Sequence, residues 1–317
     1  MIWENRLDAA WHIRQANFPP IIGLDYPVDT AVISLTGTAC ALDCAHCGGH
    51  YLEHMIPIEQ APEQIVDAPS LLISGGCDAQ GRVPVWEKHL RLLDSLRPRR
   101  RLNWHVGLIG QRELEVIVPY VDVVSFDFVG DDETIGEVYG LERSVADYEV
   151  TYKLLRQHVK VVPHITIGLR GGELGHERKA LDLLAELGCD ALVFLVFIPT
   201  PGTRYADRQP PAVAEVIHLL AEARLLFPRT PLYLGCMRPR GPYRKALDPL
   251  AVRAGLNRIV SPAREAVALA QKLGLAIERG TECCVLASWR GDRSTAEQLT
   301  PMHNGARMKL NCGLCQP

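Results

Sequence analysis

The 317-residue chain reads as an α/β protein of the (β/α)8 TIM-type barrel class. Three observations predict it. Eight short apolar runs recur along the chain, amphipathic helical stretches fill the intervals, and no break in composition divides them. The runs are AVISLTG (31–37), SLLISGG (70–76), RLNWHVGL (101–108), VDVVSFDFV (121–129), VKVVPHITIGL (159–169), ALVFLVFIP (191–199), PLYLGC (231–236) and NRIVSP (257–262). Most are continuous rather than alternating, as parallel strands covered on both faces require. An open doubly wound sheet is the runner-up arrangement.

The intervals carry helical periodicity. Ala180, Leu183, Leu184 and Leu187 fall at i, i+3, i+4 and i+7, as do Val213, Val216, Ile217 and Leu220. Gly188 follows the first set and suits a helix C-cap. Residues 1–28 are expected to form an N-terminal helix and lead-in, 29–274 the barrel, and 275–317 a C-terminal extension.

A hydrophobic fraction of 47% is ample for one large core, and a net charge of −3 argues against a sequence-independent nucleic-acid binder. The basic run RPRRR (97–101) reads as a solvated loop between helix and strand. No apolar run reaches the roughly 18–20 residues that span a bilayer. The N-terminus has no signal-peptide core, so a cytoplasmic protein without membrane contact is expected. Ten cysteines then need an explanation other than disulfides. Cys40, Cys44 and Cys47 cluster near the start and Cys283, Cys284, Cys312 and Cys315 near the end, which suggests two metal sites.

Directly after the first strand, CALDCAHC spaces three thiols as C-x3-C-x2-C. On a barrel this loop lies at the C-terminal face of the strands, where βα loops build active sites. Three thiolates on a [4Fe–4S] cluster leave one iron open to an exogenous ligand. A structural zinc site completed by His46 or His50 is the alternative that this stretch leaves open.

The stretch resembles the signature of the radical S-adenosylmethionine (SAM) superfamily, whose reductive cleavage of SAM yields a 5′-deoxyadenosyl radical. The resemblance covers about residues 30–262. It implies that Cys40, Cys44 and Cys47 hold the catalytic [4Fe–4S] cluster, with His46 at a usually aromatic position beside the adenine. Ser74, Gly75 and Gly76 resemble the Gly-Gly stretch whose backbone takes the methionyl ammonium, and Cys77 stands where the family often has an acid. Ser125 and Asp127 alternate on strand four, and Asp127 resembles the ribose-binding acid of the biotin synthase-like branch. HITIGLRGGE (164–173) loosely resembles a segment beside the adenine. FIPTPGTRY (197–205) resembles the Pro-x-Pro-Gly-Thr exit of that branch and puts Thr200 at the mouth.

In the tail, C-x2-C at Cys312 and Cys315 is a common half-site for zinc or Fe–S clusters. With Cys283, Cys284 and Cys236 it would form an auxiliary [4Fe–4S] cluster if the extension folds back over the barrel mouth. A zinc knuckle stapling the tail is the alternative. GCMRPRGPYR (235–244) brings Arg238, Arg240 and Arg244 together as a possible clamp for a carboxylate or phosphate.

Taken whole, the likeness is to one component of the two-protein lipoyl synthases. It implies sulfur insertion into an octanoyl chain on a lipoyl carrier protein or peptide, a second radical SAM protein as partner, and an electron donor such as ferredoxin or flavodoxin. A radical SAM mutase or cofactor-assembly enzyme with a structural tail site is the enzymatic alternative. A non-catalytic Fe–S scaffold is the other.

Overall fold

The computed structural model describes residues 2–65 and 67–286. Eleven parallel strands form one curled sheet: β1 (Ile21–Asp25), β2 (Thr30–Ser34), β3 (Ile56–Pro57), β4 (Ser70–Ser74), β5 (Arg101–Trp104), β6 (Val123–Asp127), β7 (Val161–Ile167), β8 (Leu192–Val196), β9 (Leu232–Leu234), β10 (Arg258–Val260) and β11 (Ala276–Gly280). Their ladder order is β11-β1-β10-β9-β8-β7-β6-β5-β4-β2-β3. The α/β barrel class is thus observed, and β2 with β4 through β10 coincide with the eight apolar runs. Three strands are additional. β1 and β11 pair with each other in the lead-in and the extension, and β3 adds two residues beside β2.

Period-two alternation sorts the strand residues into two layers. Ile33, Ile73, Trp104, Phe126, Ile165 and Phe194 point outward into the core shared with the surrounding helices. Val123, Val162, Val193, Tyr233 and Val260 point inward and pack as a second, smaller cluster in the lumen. The helix Glu177–Leu187 stops at Gly188, whose φ of 76° is open to glycine at little cost. The helix Val145–His158 is capped by Ser144 and Asp147, which exchange side-chain and backbone contacts.

The extension begins inside the barrel. Cys284, Val285 and Leu286 belong to the lumen cluster, beside the N-terminal halves of the strands. Cys283 donates its N–H to Thr30 Oγ1 at 2.8 Å, and Asp29 donates to the Thr281 carbonyl at 2.8 Å. The segment therefore runs beside the link from β1 to β2, residues 26–29. Arg101, the first residue of β5, donates to the Leu286 carbonyl at 2.6 Å and pairs with Glu282. The expectation that the extension folds over the mouth is corrected for its described part, which fills the opposite end.

The basic run is also not a solvated loop. Arg100 donates to the carbonyls of Ala68, Leu96 and Ile65, and Arg101 holds the tail, so two of its arginines staple backbone. Carbonyls left over at the helix end and loop supply those acceptors. No helix among the described residues is long and apolar enough to cross a membrane.

Candidate metal and cofactor site

The three-thiol loop leaves β2 at the C-terminal face and is pinned from both sides. Ala45, fully buried in its middle, donates to the Val138 carbonyl at 2.7 Å and accepts from the N–H of Tyr205 at 3.0 Å. The loop thus hangs between the π-helical turn Ile135–Tyr139 and the Pro-Thr-Pro-Gly-Thr segment. Gly48 and Gly49 take φ of 52° and 77°, which tightens the turn after Cys47. That turn aims the N–H groups of Tyr51, Gly49 and His50 at the Cys47 sulfur. They favour its thiolate against a burial that pushes the thiol up. Burial also raises Cys44, and the neighbouring thiols of Cys47, Cys40 and Cys77 add to it. Cys40 is exposed.

Gly75 and Gly76 lie against this loop. A Cβ on Gly76 would sit 2.0 Å from the Ala39 carbonyl oxygen and 2.6 Å from Cys40 Cβ. The Gly76 N–H donates to Thr36 Oγ1 at 2.7 Å, so the glycine is needed for backbone-to-backbone approach. Ser74 accepts at its carbonyl from Leu35, the residue that follows β2. A cleft of about 560 Å³ opens beside Cys40 and Cys77, with Thr36, Gly76, Trp86 and Lys88 among its walls.

His46 packs edge-on against Tyr139 with ring centroids 5.7 Å apart. Its Nδ1 is shut off from water without a partner, and burial lowers the imidazole to about 4, so the ring is neutral at pH 7. Thr200 is buried, donates to the Ile198 carbonyl at 3.2 Å and faces the Tyr51 hydroxyl at 3.3 Å. It braces the mouth from within.

The lumen wall beneath is layered by alternation. Asn103 accepts from the Ser125 hydroxyl at 3.0 Å, and Asn103 Nδ2 donates to Cys283 Sγ at 3.5 Å. Ser125 is therefore engaged one layer below Asp127. In the upper layer Asp127 Oδ2 lies 3.8 Å from His105 Nδ1, and the His105 and His164 rings stack edge-on at 5.4 Å. Asp127 is half open to water within a concavity of protein, which raises its carboxyl against the opposing effect of His105. His164 faces the Val162 carbonyl at 3.0 Å, and burial lowers it to about 3. A carbonyl only accepts, so Nδ1 carries the proton and Nε2 is left as an acceptor. His105 and His164 were not foreseen; extending the alternation of Ser125 and Asp127 to β5 and β7 would have found them.

Cys236 packs with Cys283 against the lumen cluster, and the Cys283 and Cys284 thiols are hydrogen-bonded to each other. Cys312 and Cys315 lie outside the described residues. The arginine clamp is corrected in part. Arg238 is fully buried and gives Asp248 two hydrogen bonds, at 2.9 and 2.8 Å, with a third to the Gly235 carbonyl. It holds the loop after β9 and is withdrawn from any ligand.

Among the described residues no three His, Cys, Asp or Glu side chains converge on a point that would hold one metal ion. An iron–sulfur cluster asks for something else, one thiolate per iron around a cube. The donor set of Cys40, Cys44 and Cys47 fits it. Burial holds the Cys44 and Cys47 thiols protonated until a metal charge displaces their protons.

No protein-family model matches the sequence, and no curated protein matches it. Solved structures match the fold. Methylornithine synthase aligns over 87% of this chain and 89% of its own, at 15% identity and a TM-score of 0.62. The FeFe-hydrogenase maturase HydG from Carboxydothermus hydrogenoformans aligns over 87% and 72%, at 13% identity and a TM-score of 0.61. Streptococcus suis SuiB bound to S-adenosylmethionine aligns over 70% and 52%, at 14% identity and a TM-score of 0.50. The chain shares its curled parallel α/β barrel with these three.

Proposed function

We propose that this chain is a radical SAM enzyme. The observation that carries it is the three-thiol loop at the C-terminal face of β2, with Gly76 and Cys77 docked on it and Asp127 on the lumen wall beside it. When bound, the cluster and SAM supply a 5′-deoxyadenosyl radical, with methionine as the other product. Cys40, Cys44 and Cys47 would ligate the cluster. The backbone about Ser74, Gly75 and Gly76 would receive the methionyl end, and Asp127 would accept from the ribose hydroxyls. His46 and Thr200 would line the nucleoside side. An electron donor such as ferredoxin or flavodoxin would serve the exposed side of the loop at Cys40. That one of the structures sharing this fold, Streptococcus suis SuiB, is bound to SAM supports the reading. Reconstituted, reduced protein should convert SAM to methionine and 5′-deoxyadenosine, and Cys44→Ala should abolish this. Unchanged cleavage by that variant would sink the proposal.

Two finer readings divide on the tail. Packing of Cys283 and Cys284 into the lumen cluster favours a structural tail, hence a mutase or cofactor-assembly enzyme acting on a small substrate in the upper lumen. The presence of Cys236 beside them favours the other, an auxiliary [4Fe–4S] cluster completed by Cys312 and Cys315. That cluster would give up sulfide to an octanoylated carrier with a second radical SAM protein as partner. Cys312→Ala should lower iron from about eight to about four per chain if the auxiliary cluster exists. Zinc in the wild type, or iron unchanged in the variant, would leave the structural tail.

A further inference from the structure

The loop offers three thiols, and the fold brings up a fourth from another strand. Cys77 follows β4 and is clamped to the loop on both sides. Its N–H donates to Cys40 Sγ at 3.3 Å, and its carbonyl accepts from Ala41 at 2.8 Å. The half-buried Cys77 lines the same cleft as Cys40, Thr36 and Gly76. Its thiol is within electrostatic reach of Cys40, Cys44, Cys47 and Asp127. The neighbouring carboxylate is engaged within its own turn. Asp78 Oδ1 already accepts from the N–H groups of Gln80 and Arg82, at 2.9 and 3.0 Å.

Four thiolates complete the shell of a [4Fe–4S] cluster. We propose that Cys77 is an exchangeable fourth ligand, which holds the open iron of the cluster until SAM displaces it. The proposal rests on the radical SAM reading. In the exchange the iron–sulfur bond to Cys77 breaks, and the amino and carboxylate groups of SAM bond to that iron. The released thiolate takes the proton that the SAM ammonium sheds as its nitrogen bonds the iron, and no electron moves. Gly76 is what permits the exchange at this distance, since a side chain there would push Cys77 off the loop. The device would keep the iron covered in the absence of SAM, while the thiol, on a short loop between two clamps, needs little motion to leave.

The test uses the full chain, reconstituted anaerobically, with SAM as the added ligand. Iron-57 Mössbauer spectra of the wild type should show one iron changing its environment only when SAM is added. An iron already distinct from the other cluster irons before addition, and responding to SAM, would overturn the proposal. In Cys77→Ala one ferricyanide equivalent should convert the cluster to a [3Fe–4S] form with its characteristic resonance, which the wild type should resist. SAM should also bind the variant about tenfold more tightly, because no competing state has to be vacated. Equal iron loss and equal affinity in the two proteins would overturn the assignment as well. Failure of the wild type to hold a cluster or bind SAM would instead remove the radical SAM reading itself.

Discussion

The backbone N–H of Cys77 donates to the sulfur of Cys40 at 3.3 Å, tying the loop after β4 to the thiol loop after β2. The contact exists because Gly76 has no side chain. Gly76→Ala would force a Cβ to within 2.0 Å of the Ala39 carbonyl, a clash only backbone movement relieves. Reconstituted Gly76→Ala should hold less than half the wild-type iron at the loop site. Gly136→Ala, where a Cβ meets nothing within 4 Å, should hold all of it. Iron and sulfide analysis decides, and full occupancy in Gly76→Ala would show the close approach to be dispensable.

Asp127 lies on the upper lumen wall with half its surface open. If it accepts from the ribose, Asp127→Asn should weaken SAM binding by about 1–3 kcal/mol, the worth of a charge-assisted hydrogen bond. Cluster content should not change. Titration calorimetry with SAM checks this, and unaltered affinity would reduce Asp127 to a partner of His105.

Arg238 and Asp248 form a fully buried pair in which each group satisfies the other. Arg238→Met should destabilise the chain by about 3–5 kcal/mol, because it strands a buried carboxylate. Arg238→Met combined with Asp248→Leu should recover most of that loss. Urea unfolding of the single and double variants measures it, and additive losses would contradict the account.

His164 gives a pH dependence of definite sign. Its pKa in the fold is lowered to about 3, whereas the unfolded ring titrates near about 6.5. Between those values the unfolded chain binds a proton that the folded chain refuses. Stability is therefore full above the upper value and falls as pH drops, by about 1.4 kcal/mol per pH unit for this residue. Urea midpoints of the cluster-free chain should decline from pH 7 to pH 5, and less steeply in His164→Phe. His46, lowered to about 4 by the same cause, should contribute a similar slope.

The eight principal strands were legible because continuous apolar runs have few alternatives to burial on both faces. β1 and β11 were not, since IIGLD and AIERG are short and interrupted by glycine and charge. Their pairing is a long-range event that no local pattern announces. Cys40, Cys44 and Cys47 stood out by spacing alone. His105, His164 and Asn103 did not, because each is a single polar residue inside an apolar run whose inward direction depends on register. Arg238 was misjudged for a similar reason. Its neighbours in sequence are arginines, and its real partner sits ten residues on, within the following helix.

Residues 281–286 fill the lower lumen beside the link from β1 to β2, so the barrel's floor is furnished by residues that follow the eleven described strands in the chain. Synthesis runs from the N-terminus, and β2 with β4 through β10 can curl together before that segment emerges. Until it does, the chamber is an open tube with water at both ends. A chain made in that order can hold its thiol loop complete while the space behind it is still wet. Closure from below turns that tube into a cup, and sets the moment at which the upper lumen becomes a protected place for reactive chemistry.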